Sequence, residues 1–263
     1  MRRHVPFLVI LLCGVVLGAT RAVESPDLKV LDFQFKLLRA QFPQAVPRDV
    51  VVVGVDEATA KRFPEPITLW HAHLGRFLGA MAQAKPAAVG LDIVLPDRSY
   101  DAVLPGSDKK LLKGLLDARL TFPVVLGQTV DPSGTPRAIQ PLFLKIAGNA
   151  GYALFPVDRD GIVRRFDERL AEGDKTVPTL AGQLARSLKV EPVPGFIDYR
   201  SGAPFNYVPL QQVLEWAEKG DEAALASAFR DKAVLIGMVF PFEDRLRAPV
   251  QLAAWEPEAP TTP

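Results

Sequence analysis

The sequence contains few of the residues from which common catalytic, metal-binding and cross-linked sites are built. Cys13 is the only cysteine among 263 residues, so no disulfide can form within the chain and a disulfide-stapled secreted scaffold is excluded. Only three histidines are present, which argues against a structural zinc site. Neither a G-x-S-x-G nucleophile motif nor a G-x-x-x-x-G-K phosphate loop occurs. We therefore expect no catalytic residues, no metal and no cofactor in this chain.

An excess of charge of either sign is also missing. The 31 Lys and Arg residues nearly balance the 30 Asp and Glu residues, and the formal net charge is +1. A chain without a strong positive field has no electrostatic reason to bind nucleic acid, so we expect no nucleic-acid partner. The composition, 48% hydrophobic and 23% charged, is ordinary for a globular protein with a sizeable core.

The longest apolar run lies at the amino terminus. Arg2 and Arg3 precede a stretch from Val5 to Ala19, and Arg21 closes it. A basic flank before an apolar run is typical of a signal peptide or of an uncleaved membrane anchor, and both alternatives stay open. For residues 1–22 we predict a signal peptide or a single anchor in the cell inner membrane. The globular part would then lie in the periplasm or outside the cell.

The strongest fold signal is an apolar run that ends at an acid. Val50–Val55 is followed by Asp56, and the same phrase recurs as Ala87–Leu91 followed by Asp92. Such a run predicts a strand buried on both faces, and the helical pattern between the two runs predicts a parallel βαβ unit. Further runs of both kinds continue to Ala233–Gly237. The sequence therefore predicts an α/β fold with a mainly parallel sheet and flanking helices.

One stretch predicts antiparallel structure. Asp158–Gly161, which reads Asp-Arg-Asp-Gly, lies between the alternating runs Tyr152–Val157 and Ile162–Leu170. Because Asp-Gly between two such runs is typical of a β-hairpin, we predict a hairpin here. The two aspartates also match the first positions of a calcium loop. Arg169 stands where that loop needs its last acid, so a turn is favoured.

Acids at the carboxyl ends of the predicted strands are the best candidates for a binding site. Ligands of open α/β sheets bind outside those ends, and an arginine on the strand after the Asp-Gly turn can reach inward to meet a carboxylate. The candidate ligand-binding residues are Asp56, Glu57, Asp92, Asp160, Arg164 and Asp244. The alternative is that the strand-end acids only cap the following helices or bind loop amides.

An apolar seam follows the N-terminal run. Leu28, Leu31, Phe35, Leu38 and Phe42 recur at spacings of three and four residues, as in two heptads of a coiled coil. One interpretation is a helix packed on its own domain. The other is a helix next to the membrane that pairs with a second copy and forms a homodimer.

Six short phrases occur in a fixed order along the chain. They are Asp49–Glu57, Pro86–Asp92, Asp158–Arg165, Val177–Ala181, Ile197–Tyr199 and Asp231–Gly237. Together they resemble the CHASE2 extracellular sensor domain of bacterial transmembrane receptors, over about residues 27–250. The resemblance implies an extracytoplasmic α/β sensor domain behind a transmembrane helix, and it transfers no binding residues. One departure is the phrase Pro66–His71, which lacks the arginine that the family tends to show there.

We therefore expect the extracytoplasmic ligand-sensing domain of a membrane-anchored signalling protein, with a small molecule or an envelope protein as its ligand. A structural or assembly protein of the envelope, acting through protein–protein contacts, is the alternative. A hydrolase that uses the strand-end acids is the weakest interpretation. Residues 251–263 are rich in proline and are expected to form a disordered tail. The sequence leaves open whether the chain is a fragment, a truncated product or a stand-alone sensor, because no later apolar run approaches the length of a membrane span.

Overall fold

The computed structural model describes residues 24–131, 133, 135–169, 176–201, 204–240 and 246–255, with side chains from Pro26 onward. The elements in chain order are α1 (Glu24–Gln41), β1 (Val50–Val55), α2 (Glu57–Arg62), α3 (His71–Ala84), β2 (Ala88–Asp92), α4 (Ser107–Arg119), β3 (Val124–Gln128), α5 (Pro141–Ala147), β4 (Ala150–Tyr152), β5 (Arg165–Phe166), α6 (Leu180–Ser187), β6 (Gly195–Phe196), β7 (Tyr207–Pro209), α7 (Leu210–Lys219), α8 (Glu222–Phe229) and β8 (Ala233–Met238). The predicted signal or anchor segment 1–22 lies outside the described residues. Within them, no helix combines the length and the apolar character needed to cross a membrane.

The main sheet has six strands in the order β4-β3-β2-β8-β1-β7, and all of its neighbours pair in parallel. β8 comes last in the chain, yet it lies between β1 and β2 and pairs with both. In that register Gly54 of β1 and Asp92 of β2 both lie opposite Gly237 of β8. The predicted α/β fold with a mainly parallel sheet is confirmed.

Helices cover both faces of this sheet, which explains why its strands are apolar throughout. The larger core lies between the sheet and α3, α4, α7 and α8, where Phe77, Leu111 and Phe229 are fully buried. On the opposite face α6 places Leu180 and Leu184 against the sheet. Strands with a helix on each side lose water from both faces, so near-continuous Val, Ile and Leu is the expected composition.

Helices α3 and α4 cross at two glycines. A Cβ atom on Gly114 would lie 2.5 Å from the carbonyl oxygen of Gly75, and a Cβ atom on Gly75 would clash with the carbonyl oxygen of Lys110. The two helix backbones are therefore in direct contact. This crossing also brings the first turns of both helices together at the carboxyl edge of the sheet.

The predicted β-hairpin across Asp158–Gly161 is wrong, although its turn forms. The amide of Gly161 donates to the carbonyl of Asp158 at 2.9 Å, and Gly161 has a φ of 81°, which favours glycine. Of the run before the turn only Tyr152 is in a strand, as the last residue of β4 in the parallel sheet, while β5 after the turn pairs antiparallel with β6. A place beside β3 in a large sheet stabilises β4 more than an isolated two-stranded hairpin would.

Part of the predicted disordered tail contacts the body of the domain. The amide of Phe205 donates to the carbonyl of Leu252 at 2.6 Å, and the ring of Trp255 lies 4.9 Å from that of Tyr207. Residues 251–255 thus lie along the chain segment that leads into β7, and 256–263 fall outside the described residues.

Candidate functional site

Three strand ends form the middle of the carboxyl edge. β8 lies between β1 and β2, so Asp56 after β1 and Asp92 at the end of β2 flank it, two strand spacings or about 10 Å apart across the sheet. Asp92 is exposed, and its Oδ2 lies 3.7 Å from where a Cβ atom of Gly237 would stand. Asp92 therefore lies beside the end of β8, next to Gly237. We call this group, Asp56, Asp92 and Gly237, the carboxyl edge.

Asp56 caps helix α2. Its Oδ1 accepts hydrogen bonds from the amide nitrogen of Thr59 at 2.8 Å and from the Thr59 hydroxyl at 2.7 Å. Its Oδ2 accepts from the hydroxyl of Tyr207 at 3.1 Å. Burial and then the negative charge of Asp56 raise the pKa of Tyr207 above its ordinary value. Both carboxylate oxygens of Asp56 therefore already have partners within the domain.

The neighbouring candidates differ in their surroundings. Glu57 stands in the first turn of α2, where its side chain is 60% exposed and lies 3.8 Å from the ammonium of Lys61. An exposed pair of this kind contributes little to stability. Asp244 falls outside the described residues.

The other two candidates belong to a separate group built around Arg164. The Arg164 side chain is completely buried, and it binds three carboxylates. Nε and Nη2 donate to the two oxygens of Asp32 at 2.7 and 2.8 Å. Nη1 donates to Asp158 at 2.9 Å and to Asp160 at 2.9 Å, and Nη2 donates to Asp160 at 2.6 Å. All five N–H donors of the guanidinium are thus satisfied. We call these four residues the arginine cluster.

Charge and burial in the arginine cluster fix its protonation state. The hydrogen bonds that Arg164 donates to Asp160 and then to Asp32 raise the pKa of Arg164, so the guanidinium stays charged. The hydrogen bond from Arg164 holds the pKa of Asp160 below its ordinary value, although partial burial of the carboxyl opposes this. Tyr199 donates its buried hydroxyl to the carbonyl of Val163 at 2.6 Å, and burial raises the pKa of Tyr199 to about 12. The guanidinium therefore lies in a closed hydrogen-bond network.

Two members of the arginine cluster were not among the sequence candidates. The sequence predicts Asp158 only as a turn residue, and Asp32 lies within the apolar seam of α1, whose spacing predicts packing and not an ion pair. A signal was present, since Asp32 stands between Leu31 and Phe35, next to the inner face of an otherwise apolar helix stripe. The expectation that Arg164 could meet the strand-end acids is corrected, because these three other carboxylates occupy all of its donors.

The predicted seam of α1 is divided between the inside and the outside of the domain. Leu28 is buried, and the ring of Phe35 packs edge-on against Tyr199 with centroids 5.3 Å apart. Leu31 is half-buried, whereas Leu38 and Phe42 are exposed. Packing on its own domain therefore accounts for one end of the seam, and pairing with a second copy stays a proposal.

The two described histidines each bind a different acid near the start of α3. Nδ1 of His71 lies 2.6 Å from Oδ1 of Asp108, with both side chains buried, and Nε2 of His73 lies 2.5 Å from Oε1 of Glu65. The two histidines therefore have separate acidic partners. Over the ranges that the structure describes, no three His, Cys, Asp or Glu side chains are arranged to hold a metal ion.

Comparison with known families identifies the family of this chain. A family model of the CHASE2 domain matches residues 7–261. The chain belongs to the CHASE2 domain family. Neither a curated protein nor a solved structure matches it. The CHASE2 resemblance inferred from the six phrases is thereby confirmed, and the match extends at both ends beyond the predicted 27–250.

CHASE2 is a family of sensor domains, which is consistent with an extracellular sensing role for this chain. Both the carboxyl edge and the arginine cluster lie within the matched residues. The two regions are therefore parts of one CHASE2 domain, and α1, which supplies Asp32, belongs to that domain as well.

Proposed function

We propose that this CHASE2 domain is the extracytoplasmic ligand-sensing domain of a membrane-anchored signalling protein and has no catalytic activity of its own. The observation that carries the proposal is the family match, which covers nearly the whole chain. CHASE2 domains are generally non-catalytic sensors. The carboxylates described above agree with this role, because Asp56 serves as a helix cap and Asp160 binds an arginine.

The ligand would bind at the carboxyl edge of the sheet. Open parallel sheets bind their ligands outside the strand ends, and here β8 ends between Asp56 and Asp92. Asp92 is the exposed acid of this group. An ionised carboxylate can accept hydrogen bonds but cannot donate them, so it binds cations and hydrogen-bond donors. A polyol or a cation therefore suits the edge better than an anion. Glu57 remains a candidate at its rim, and Asp244, which lies outside the described residues, remains a candidate from the sequence.

Membrane attachment would come from the amino terminus. Residues 1–22 carry the basic flank and the apolar run of an anchor or signal peptide, and α1 follows them in the chain. We place the anchor in the inner membrane and the domain in the periplasm or outside. In this arrangement α1 is the element through which a change in the domain reaches the membrane.

A thermal-shift screen of the full chain in detergent micelles tests the sensing function. The probes are polyols, divalent cations and fractions of periplasmic extract, and a ligand that binds only the folded state raises the melting temperature. We expect at least one probe to stabilise the wild-type protein and to lose its effect in Asp92→Asn. Asp117→Asn is the control, because Asp117 lies on the surface of α4 paired with Lys113. Stabilisation by no probe would contradict sensing, and an undiminished shift in Asp92→Asn would contradict the site.

A second candidate function rests on the exposed apolar side chains of α1. Phe33 and Phe42 are 64% and 65% exposed, and Leu38 is also on the surface. An envelope structural or assembly protein that pairs through α1, with a partner or with a second copy, would cover them. Leu38→Lys with Phe42→Lys should then abolish chemical cross-linking of the complex in membranes. Unchanged cross-linking in that variant would contradict this second function.

A further inference from the structure

Helix α1 is held to the domain by few apolar contacts. Leu28 is buried and Phe35 packs on Tyr199 and Phe196, but most of the large apolar residues of α1 face solvent. The exposed ones are Val30, Phe33, Leu37 and Leu38. A helix with so little buried apolar surface gains little from the hydrophobic effect, so its polar attachment carries unusual weight.

A polar attachment of α1 is the bidentate pair between Asp32 and Arg164. Both carboxylate oxygens of Asp32 accept from the guanidinium, which is fully buried, and the two residues are 132 positions apart in sequence. Charge-assisted, two-pronged hydrogen bonds are the strongest of the side-chain hydrogen bonds. Asp32 therefore connects α1 to the turn after β4 through a single fixed geometry.

The cluster has more carboxylates than it needs. Arg164 carries one positive charge and faces three negative charges, from Asp32, Asp158 and Asp160. Removing the partner of a buried charge is normally very costly, because the charge is left uncompensated. Here departure of Asp32 would leave Arg164 bound to two carboxylates of its own turn. The separation of α1 from the domain would therefore leave the buried Arg164 charge compensated.

The backbone of the turn that carries Arg164 also pairs with the chain at Arg247. The amide of Val163 donates to the carbonyl of Arg247 at 2.8 Å, and Ile162 pairs with Arg247 as an isolated bridge. Arg247 follows β8 in the chain, and β8 ends at the carboxyl edge between β1 and β2.

We propose that the Asp32–Arg164 pair is a releasable latch that holds α1 on the CHASE2 domain. In the latched state Arg164 binds all three acids, and in the released state it keeps Asp158 and Asp160 while α1 separates. The use of this latch for signalling rests on the proposed sensing function. The latch itself is a property of the domain and can be measured without any ligand.

Hydrogen exchange followed by mass spectrometry, on the full chain in detergent micelles, tests the latch. In Asp32→Asn we expect the amides of α1 to exchange about tenfold faster than in the wild type, because one charge-assisted pair is lost. The amides of β1, β2 and β8 should keep their wild-type rates. Asp27→Asn is the matched control, since Asp27 is an exposed acid on the same helix, and it should leave α1 unchanged.

Two further variants separate a latch from general loss of structure. In Asp158→Asn, Arg164 keeps Asp32, so α1 should exchange no faster than in the wild type. Arg164→Lys removes the two-pronged geometry but keeps the charge, so α1 exchange should rise as in Asp32→Asn, and this variant serves if Asp32→Asn does not fold. Unchanged α1 exchange in both Asp32→Asn and Arg164→Lys, or equal acceleration over the whole sheet, would overturn the proposal. If no ligand stabilises the protein but α1 exchanges faster in Asp32→Asn, the sensing function is overturned and the latch stands.

Discussion

The carboxylates of the carboxyl edge and those of the arginine cluster have the same chemistry but different partners. Asp56 takes its hydrogen bonds from neutral donors, two of them on Thr59 only three residues away. In the arginine cluster, acids from α1 and from the turn after β4 meet on one buried cation. The first arrangement therefore consists of neutral hydrogen bonds from Thr59 and Tyr207, whereas the second joins α1 to the turn after β4 through charge-assisted hydrogen bonds to one buried cation.

The largest effect is expected at Arg164. Replacing it by methionine in Arg164→Met leaves three partly buried acids without their cation, and breaking a buried ion pair costs about 3–5 kcal/mol. Urea denaturation of the full chain measures the free energy of unfolding. Arg165→Met is the control, because Arg165 is exposed and lies 5.0 Å over the ring of Phe196. A loss below about 1 kcal/mol for Arg164→Met would mean that the arginine cluster contributes no more to the free energy of unfolding than an exposed ion pair does.

A smaller loss is expected at Asp56. Removal of a helix N-cap costs about 0.5–2 kcal/mol, so Asp56→Ala should lower the free energy of unfolding by about 1 kcal/mol. Asp56→Ser keeps a capping hydroxyl and should recover most of that loss. The same denaturation measurement applies to both variants. A loss in Asp56→Ala as large as that in Arg164→Met would remove the contrast between the two regions.

Acid should weaken the arginine cluster in a definite direction. The hydrogen bond from Arg164 lowers the pKa of Asp160 below its ordinary 3.8, against the opposing effect of burial. Stability from this group is therefore fully present above pH 3.8 and is lost as the pH falls through the lowered value. The difference in melting temperature between wild type and Asp160→Asn should be constant near neutral pH and shrink below that point. A difference that persists undiminished at low pH would contradict the assigned pairing.

The smallest effect is expected at Glu57. Its pair with Lys61 is exposed on both sides and spans 3.8 Å, so Glu57→Gln should change the free energy of unfolding by less than about 0.5 kcal/mol. Lys61→Met should have an equally small effect. A larger loss in either variant would show that the rim of the carboxyl edge carries more of the stability than its exposure indicates.

Much of the fold could be predicted from the sequence because buried strands and amphipathic helices leave periodic patterns. Val50–Val55 and Ala233–Met238 are strands whose apolar runs are visible without a structure. The placement of β4 in the sheet could not be predicted, because the Asp-Gly turn favours a hairpin locally and the competing partner, β3, lies elsewhere in the chain.

The candidate site was predicted only in part, for a related reason. Asp160 lies in the Asp-Gly turn and Arg164 follows four positions later, so the local sequence can predict their pairing. Asp32 reaches Arg164 across 132 positions, and no local pattern records a contact of that range. Asp32 also lies beside the apolar seam of α1, and the spacing of that seam predicts apolar packing, not an ion pair.

A double-mutant cycle tests most directly whether Arg164 holds α1 rather than serving the carboxyl edge. The free energy of unfolding is measured for Asp32→Asn, Arg164→Met and the double variant, and in parallel for Asp56→Asn with Arg164→Met. We predict a coupling of about 1.5 kcal/mol or more between Asp32 and Arg164, and additivity within about 0.5 kcal/mol for Asp56 and Arg164. Additivity at Asp32, or an equal coupling at Asp56, would contradict the division of these carboxylates into two regions.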